Sequence, residues 1–263
     1  MTNSSVLNLS NSTYSLSIQL SLNGFSFYIT SNTGDIVSKY HESNDTIPFN
    51  EQQLLEKVSK IFDSKPELQA TFKSIDVIYY NELFTLVPKT LFDEKALKTY
   101  INYSVKTLAT DYITYDELNT GIINVFIPYV NVNNFLLEKL GEFNFHHSSG
   151  ILINHVLEKE KYSLTKKVSI FVAPNQFDLI CCKGTDLLLF NSFKYTTNED
   201  VLYYLLFCLE QLDLSPNQIE VELINTISTD LFDLLYTYIR NISQPKIEEN
   251  TIDVLHLLAQ NEA

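Results

Sequence analysis

The sequence predicts an α/β fold in which one β-β-β-α-β-α unit is used twice, with an inserted α+β subdomain in the first copy. The first observation is an internal repeat, because residues 15–40 and 167–193 show the alternation of apolar residues typical of β-strands, broken at matching turns. The second is that both segments are followed by the same order of elements, a helix, a strand and a helix. Two copies of such a unit imply two sheets covered by helices.

The first copy opens as a three-stranded meander. Two strands flank the turn at Asn23-Gly24, and the third follows Thr33-Gly34-Asp35. A helix begins at Asn50-Glu51 and continues to about residue 62, because its apolar residues recur at helical spacing. A strand over 74–79 and a helix that follows Leu91-Phe92-Asp93 and ends near 100–102 complete the unit.

The second copy repeats this order. Its first two strands flank Asn175-Gln176, and the third follows Gly184-Thr185-Asp186. A helix is predicted from Asn198-Glu199 to about 212, then a strand over 218–223. A helix that follows Leu231-Phe232-Asp233 and ends near 238–241 closes the unit, so the two copies match along most of their length.

The first copy carries extra material that the second lacks. It is predicted to form a hairpin over 111–129 turning at Asn119-Thr120, a helix over 132–140, a strand over 142–147 and a helix over 148–160. We therefore assign residues 1–166 to the first half, with an inserted subdomain at about 103–160, and residues 167–263 to the second half. A short amphipathic helix over 251–260 is expected to pack on the second half.

Composition narrows the classes of function. The net charge of −14, with one arginine among 18 basic residues, opposes nucleic-acid binding by the whole surface. No run of 18 apolar residues occurs and the first residues lack a basic-then-apolar leader, so we expect neither a membrane span nor export. Three cysteines cannot form a disulfide framework, which favours a reducing compartment, the cytoplasm.

The order of elements resembles the core shared by actin, the sugar kinases, the Hsp70 chaperones and bacterial proteins of cell division and pilus assembly, the ribonuclease H-like or actin-like ATPase fold. The segment Phe84-Thr85-Leu86-Val87-Pro88, followed by Leu91-Phe92, looks like the bacterial family named domain of unknown function 3822. That resemblance implies an actin-like ATPase fold over nearly the whole chain. It also implies an ancestral ATP and magnesium site between the halves.

The residues that would hold a nucleotide are degenerate. In working members of the actin-like group, an acidic residue and a glycine in the first turn of each half position magnesium and phosphate. Here the first turn has Asn23 and Gly24, and the second has Asn175 and Gln176 after Pro174, which has no amide donor. No glycine follows Gly184. We therefore expect no cofactor, and these four residues are only weak candidates for nucleotide contact.

Other chemically notable residues have plainer interpretations. His146, His147 and His155 are expected to be structural, since neighbouring strand residues point to opposite faces and no ligand partners stand at metal-binding spacing. Asp111, Asp116 and Glu117 are interpreted as solvated charges of an edge hairpin, because no His or Lys partner is evident. The 16 tyrosines include adjacent pairs that cannot all face inward, so some are expected to be exposed, either in a protein interface or as ordinary surface residues.

These observations favour a non-catalytic, degenerate actin-like protein that binds or scaffolds an unknown protein partner. The alternative is a divergent ATP-dependent switch with magnesium, in which Asn23, Gly24, Asn175 and Gln176 still line the cleft. A third hypothesis is a small-molecule binder in that cleft. Self-association into a homo-oligomer is compatible with the fold.

Overall fold

The computed structural model describes residues 14–43 and 48–245, together with Val254, Leu255 and Leu257. The predicted helix over 251–260 lies outside the described residues except for these last three, which are helical and buried. The chain divides into two compact units, with the boundary between Gly150 and Ile151. Each unit is described by itself below.

Unit 1 contains a five-stranded sheet in the order β3-β2-β1-β4-β8. Strand β1 is antiparallel to β2 and parallel to β4, which in turn is parallel to β8. The elements of this layer are β1 (Tyr14–Ser21), β2 (Gly24–Ser31), β3 (Ile36–Ser43), α1 (Glu51–Ser64), β4 (Ser74–Tyr80), α3 (Val130–Leu140) and β8 (Asn144–His147).

The alternating apolar residues of β1, β2 and β4 form one buried face, which packs against α1 and α3. Helix α1 begins where the sequence predicts, because the Asn50 side chain accepts the Gln53 N–H and the Gln53 side chain accepts the Asn50 N–H, each at 2.9 Å. This capping box satisfies two amides that a helix start would leave unpaired.

A smaller sheet stands between β4 and α3 in the chain, in the order β5-β7-β6. It comprises β5 (Phe84–Pro88), β6 (Thr114–Glu117) and β7 (Ile122–Phe126), with the short helix α2 (Leu97–Ile101) against β5 and β7. Its own core centres on Val87, Ile101 and the apolar residues of β7. The hairpin of β6 and β7 falls within the predicted hairpin.

Unit 2 contains a second five-stranded sheet, in the equivalent order β11-β10-β9-β12-β13. Helices α5 and α6 pack side by side on the buried face of this sheet. The elements are α4 (Ser148–Glu160, mostly in this unit), β9 (Lys166–Ala173), β10 (Gln176–Lys183), β11 (Asp186–Lys194), α5 (Asn198–Gln211), β12 (Glu220–Leu223), α6 (Thr229–Tyr238) and β13 (Asn241–Ser243).

The duplicated unit therefore has one strand more than the sequence predicts. Strand β13 occupies residues assigned to the end of a helix, and β8 is its counterpart in unit 1, since each pairs in parallel with the fourth strand of its sheet. The helix that precedes this fifth strand is α3 in unit 1, before β8, and α6 in unit 2, before β13. Leu91-Phe92-Asp93 and Leu231-Phe232-Asp233 are consequently not equivalent, because only the second lies in this helix.

The extra segment of unit 1 also lies elsewhere than predicted. It runs from β5 to β7, between the fourth strand and α3, whereas the sequence places it at about 103–160. The boundary between the units precedes β9, because most of α4 packs with the second unit, and does not fall after Lys166. Between residues 89 and 101 the chain forms two short 3-10 turns and the five-residue α2, where the sequence predicts one longer helix.

Candidate functional site

The first candidate turn, between β1 and β2, has its polar groups engaged locally. The Asn23 N–H donates to the Ser21 Oγ at 3.1 Å, and the Leu22 carbonyl accepts the Phe49 N–H at 2.7 Å. Gly24 is already part of β2 and is paired with Ser21 and Ser43. The backbone N–H of Asn23 is therefore already used in a hydrogen bond and is not available to an anion.

The space beside Gly24 is taken by the protein itself. A Cβ at this position would lie 2.3 Å from the Glu42 carbonyl oxygen and 3.1 Å from the Ser43 Cα. Glycine is thus required here because β3 approaches closely, and this requirement accounts for the residue without a phosphate.

We expect Gly24→Ala to lower the free energy of unfolding by about 1–3 kcal/mol, because the added methyl group must push β3 aside. Gly34→Ala is the control: its Cβ would meet nothing within 4 Å, so only backbone strain at φ 82° of about 1 kcal/mol should remain. Chemical denaturation of both variants measures the difference. Equal destabilisation would contradict the close-packing explanation.

The second candidate turn, between β9 and β10, is closed in a similar way. Pro174 has no N–H, and Asn175 adopts a left-handed conformation with φ 63°. Tyr195 closes the turn from outside, since its N–H donates to the Asn175 carbonyl at 3.1 Å and its hydroxyl donates to the Ala173 carbonyl at 3.0 Å. Gln176 is buried and pairs with Ala173 in the β9–β10 ladder.

The structure thus brings Asn23 and Gly24 together in unit 1 and Asn175 and Gln176 together in unit 2. Within the described part of the chain, no group of three or more His, Cys, Asp or Glu residues is arranged to hold a metal ion.

Burial raises the pKa of the Cys181 and Cys182 thiols to about 11, so the two are poor nucleophiles at neutral pH.

A buried polar cluster, which the sequence does not predict, lies where β8 ends in unit 1. The His147 Nδ1 accepts the Ser149 N–H at 3.2 Å and lies 2.7 Å from the Ser149 Oγ. Its Nε2 lies 3.1 Å from the Asn81 carbonyl oxygen, to which an Nε2–H can donate, and the Asn124 side chain donates to Ser149 at 2.9 Å. These partners define the neutral tautomer protonated at Nε2.

Burial lowers the pKa of His147 to about 3, although the hydrogen bond to Asn81 acts in the opposite direction. Ser149 and His147 are within hydrogen-bond distance, as a nucleophile and its base would be. Both side chains are only 1% exposed, however, so a substrate cannot reach the hydroxyl. The cluster is a buried hydrogen-bond network that ties β8 and α4 to the end of β4 and to β7.

Two carboxylates flank the neighbouring His146. The Asp76 Oδ1 lies 3.3 Å from His146 Nε2, and the Asp116 Oδ1 lies 3.8 Å from His146 Nδ1. Asp116 also accepts the His147 N–H at 3.0 Å. Burial raises the pKa of Asp116 to about 6, against the opposing effects of His146 and the His147 N–H. The interpretation of Asp116 as a solvated edge charge is therefore wrong.

The residues that contact His146 and His147 have no periodic pattern in the sequence that would predict these contacts. Asn81 directly follows β4, a position that indicates the end of a strand but no particular partner, and Ser149 is the second residue of α4. Asp116 and His147 stand 31 residues apart and meet only through the packing of β6 near β8. Only the run His146-His147 attracts notice in the sequence, and the expected opposite faces match their separate environments.

Comparison with known families decides where the chain belongs. Residues 4–242 match the family described as "Protein of unknown function (DUF3822)". The chain belongs to this family. No curated protein matches the DUF3822 chain.

Solved structures place this DUF3822 member in the actin-like ATPase fold. A Bacteroides thetaiotaomicron protein with that fold and unknown function is 24% identical, with 95% of this chain and 96% of that chain covered and a TM-score of 0.83. A chain of the PilM–PilN type IV pilus biogenesis complex is 11% identical, with 89% of each chain covered and a TM-score of 0.57. The ethanolamine utilization protein EutJ of Carboxydothermus hydrogenoformans is 7% identical, with 96% of this chain and 89% of that chain covered and a TM-score of 0.51.

The predicted α/β fold and the resemblance to this family are thereby confirmed. Among the described residues, no helix combines the length and apolar character needed to cross a bilayer.

Proposed function

We propose that this DUF3822 protein is a non-catalytic, degenerate actin-like protein that binds a protein partner in the cytoplasm without using ATP. The observation that carries the proposal is that the backbone N–H groups at the two turns are either already hydrogen-bonded or missing. Where an actin-like ATPase needs free amides for phosphate, Asn23 donates to Ser21, and Pro174 has no donor.

The neighbouring positions support the same conclusion. The volume that a missing Cβ would leave at Gly24 is occupied by the Glu42 carbonyl oxygen, which would repel a phosphate. Gln176 fills the place of the second glycine with a buried side chain. Neither turn carries an acidic residue to orient magnesium.

Protein binding is the function that the fold retains without a nucleotide. Several tyrosines are well exposed, among them Tyr103, Tyr203 and Tyr236, and such side chains supply contact area with one polar tip. One solved neighbour with this fold is a complex of PilM with PilN, so the fold can carry a protein partner. The three described cysteines are free and buried, as suits a reducing compartment.

Calorimetric titration with Mg-ATP and Mg-ADP tests the proposal. We expect no saturable heat up to millimolar nucleotide, because neither turn can cradle phosphate. Asn23→Ala is the matched variant. Saturable binding to the wild type that this variant weakens would assign the chain to the divergent ATP switch, and binding that the variant leaves unchanged would equally overturn the proposal by showing a nucleotide site elsewhere.

A further inference from the structure

An exposed stripe of four residues runs along the outer side of α5. Glu199, Tyr203, Phe207 and Glu210 are spaced by four, four and three residues, so they lie on one face of the helix. All four are exposed, Tyr203 by 62% and Phe207 by 46%. Two large aromatic side chains with an acid at each end form a compact surface feature.

These aromatic rings are held in place from the core outward. Buried Phe177 stacks with Phe193 at 5.3 Å, and Phe193 stacks with Tyr204 at 4.6 Å. Tyr204 meets Tyr203 edge to face at 5.3 Å, and Tyr203 stacks with Phe207 at 6.3 Å. Because each ring rests on the next, the exposed pair loses little conformational freedom when a partner binds.

The neighbouring helix α6 also exposes acidic and aromatic side chains. It packs beside α5 on the same sheet. Asp233 and Tyr236 are exposed and three residues apart, and Tyr236 stacks with Phe232 at 6.0 Å. We give the name α5–α6 face to seven of the exposed residues of the two helices: Glu199, Tyr203, Phe207, Glu210, Asp230, Asp233 and Tyr236.

The charge on this face has one sign. Helices α5 and α6 together contain five acidic residues and neither Lys nor Arg. Asp200 is used in the helix cap, where it accepts the Thr196 and Thr197 N–H groups. Within the described ranges, none of the other four lies in a salt bridge, and Lys166 donates to the carbonyl of Leu212, the residue after α5.

We infer that the α5–α6 face binds a Lys- or Arg-rich segment of a partner protein. Cationic side chains can lie over the exposed rings and pair with the flanking acids, so the aromatic and the acidic residues select the same class of partner. A second copy of this chain fits poorly, because a symmetric contact would set acids against acids. The inference rests on the proposed protein-binding function and identifies its partner by charge.

Fluorescence anisotropy with a labelled peptide of alternating lysine and leucine tests this inference, with a glutamate–leucine peptide of equal length as the probe control. The double variant Tyr203→Ser, Phe207→Ser should weaken binding roughly tenfold. Tyr162→Ser, Leu164→Ser is the matched control, since both residues are exposed in the loop after α4. It should bind like the wild type, and added salt should weaken binding.

Three outcomes would overturn the inference: no saturable binding of the lysine peptide, equal losses in the two double variants, or dimerisation of the wild type that only the α5 variant abolishes. The last would assign the face to a second copy. Failure here leaves the nucleotide titration untouched, whereas saturable Mg-ATP binding would overturn the proposed function regardless of the peptide result.

Discussion

His147→Ala is expected to lower the free energy of unfolding by about 3–5 kcal/mol, because it empties a buried site and removes hydrogen bonds. The ring is fully buried and packs against Phe84 at 4.6 Å and Phe126 at 5.4 Å between centroids. Its removal leaves a cavity and takes the hydrogen-bond partner from Ser149 and Asn81, and both losses are costly in a dry interior.

Urea denaturation followed by far-ultraviolet circular dichroism measures this effect. His41→Ala is the matched control, because His41 is exposed and its Nδ1 lies 2.7 Å from the Ser26 Oγ on the neighbouring strand. It should cost about 1 kcal/mol or less. A loss at His147 no larger than that at His41 would contradict the structural role of the buried cluster.

Asp116→Asn is expected to stabilise unit 1 at pH 8 by roughly 1–2 kcal/mol, after allowing for partial exposure of the carboxyl group. The pKa of Asp116 is raised to about 6 in the folded chain, above its ordinary value. The native state therefore binds more protons between about pH 4 and 6, and stability conferred by this group is lost as pH rises through that window. Asparagine keeps an acceptor for the His147 N–H without the charge.

His147 acts in the opposite direction. Its pKa of about 3 lies below that of an exposed histidine, so the unfolded chain binds the proton first and stability falls as pH decreases from about 6.5. Between pH 4 and 6 the two groups oppose each other. Removing Asp116 should thus steepen the loss of stability in acid.

Denaturation of the wild type and Asp116→Asn from pH 4 to 8 checks this account. The advantage of the variant should grow from pH 4 to about 7 and then stay constant. Glu117→Gln is the control on the same strand, exposed and paired with Lys89 at the surface, and its difference from wild type should change little with pH. A pH-independent difference for Asp116→Asn would rule out the raised pKa.

The repeated meanders could be predicted because each strand has several alternating apolar residues and each turn carries Asn, Gly or Pro. Strand β13 could not be predicted, because its three residues show too little alternation and, among the described residues, it pairs with β12 alone. The correspondence between α3 of unit 1 and α6 of unit 2 could not be predicted from sequence either, because it is defined by packing and strand pairing. Helix α3 packs against α1, and the strand that follows it, β8, pairs with β4.

The candidate turns were located correctly in the sequence, but the groups that close them were not. Glu42 lies in the third strand of unit 1, and Tyr195 follows the third strand of unit 2. Sequence alone does not show that the Glu42 carbonyl reaches Gly24, or that the Tyr195 N–H and hydroxyl reach the carbonyls of Asn175 and Ala173. The same limit applies to Asp116, whose partners come from β8.

The thermal midpoint measured with and without millimolar Mg-ATP tests the central claim most directly, because a ligand that binds only the native state must stabilise it. Our account predicts no shift with either Mg-ATP or Mg-ADP. At one hundred times its dissociation constant a nucleotide would contribute about 2.7 kcal/mol and raise the midpoint by roughly 5 to 10 °C. A rise of that size would contradict the account and establish a working nucleotide site.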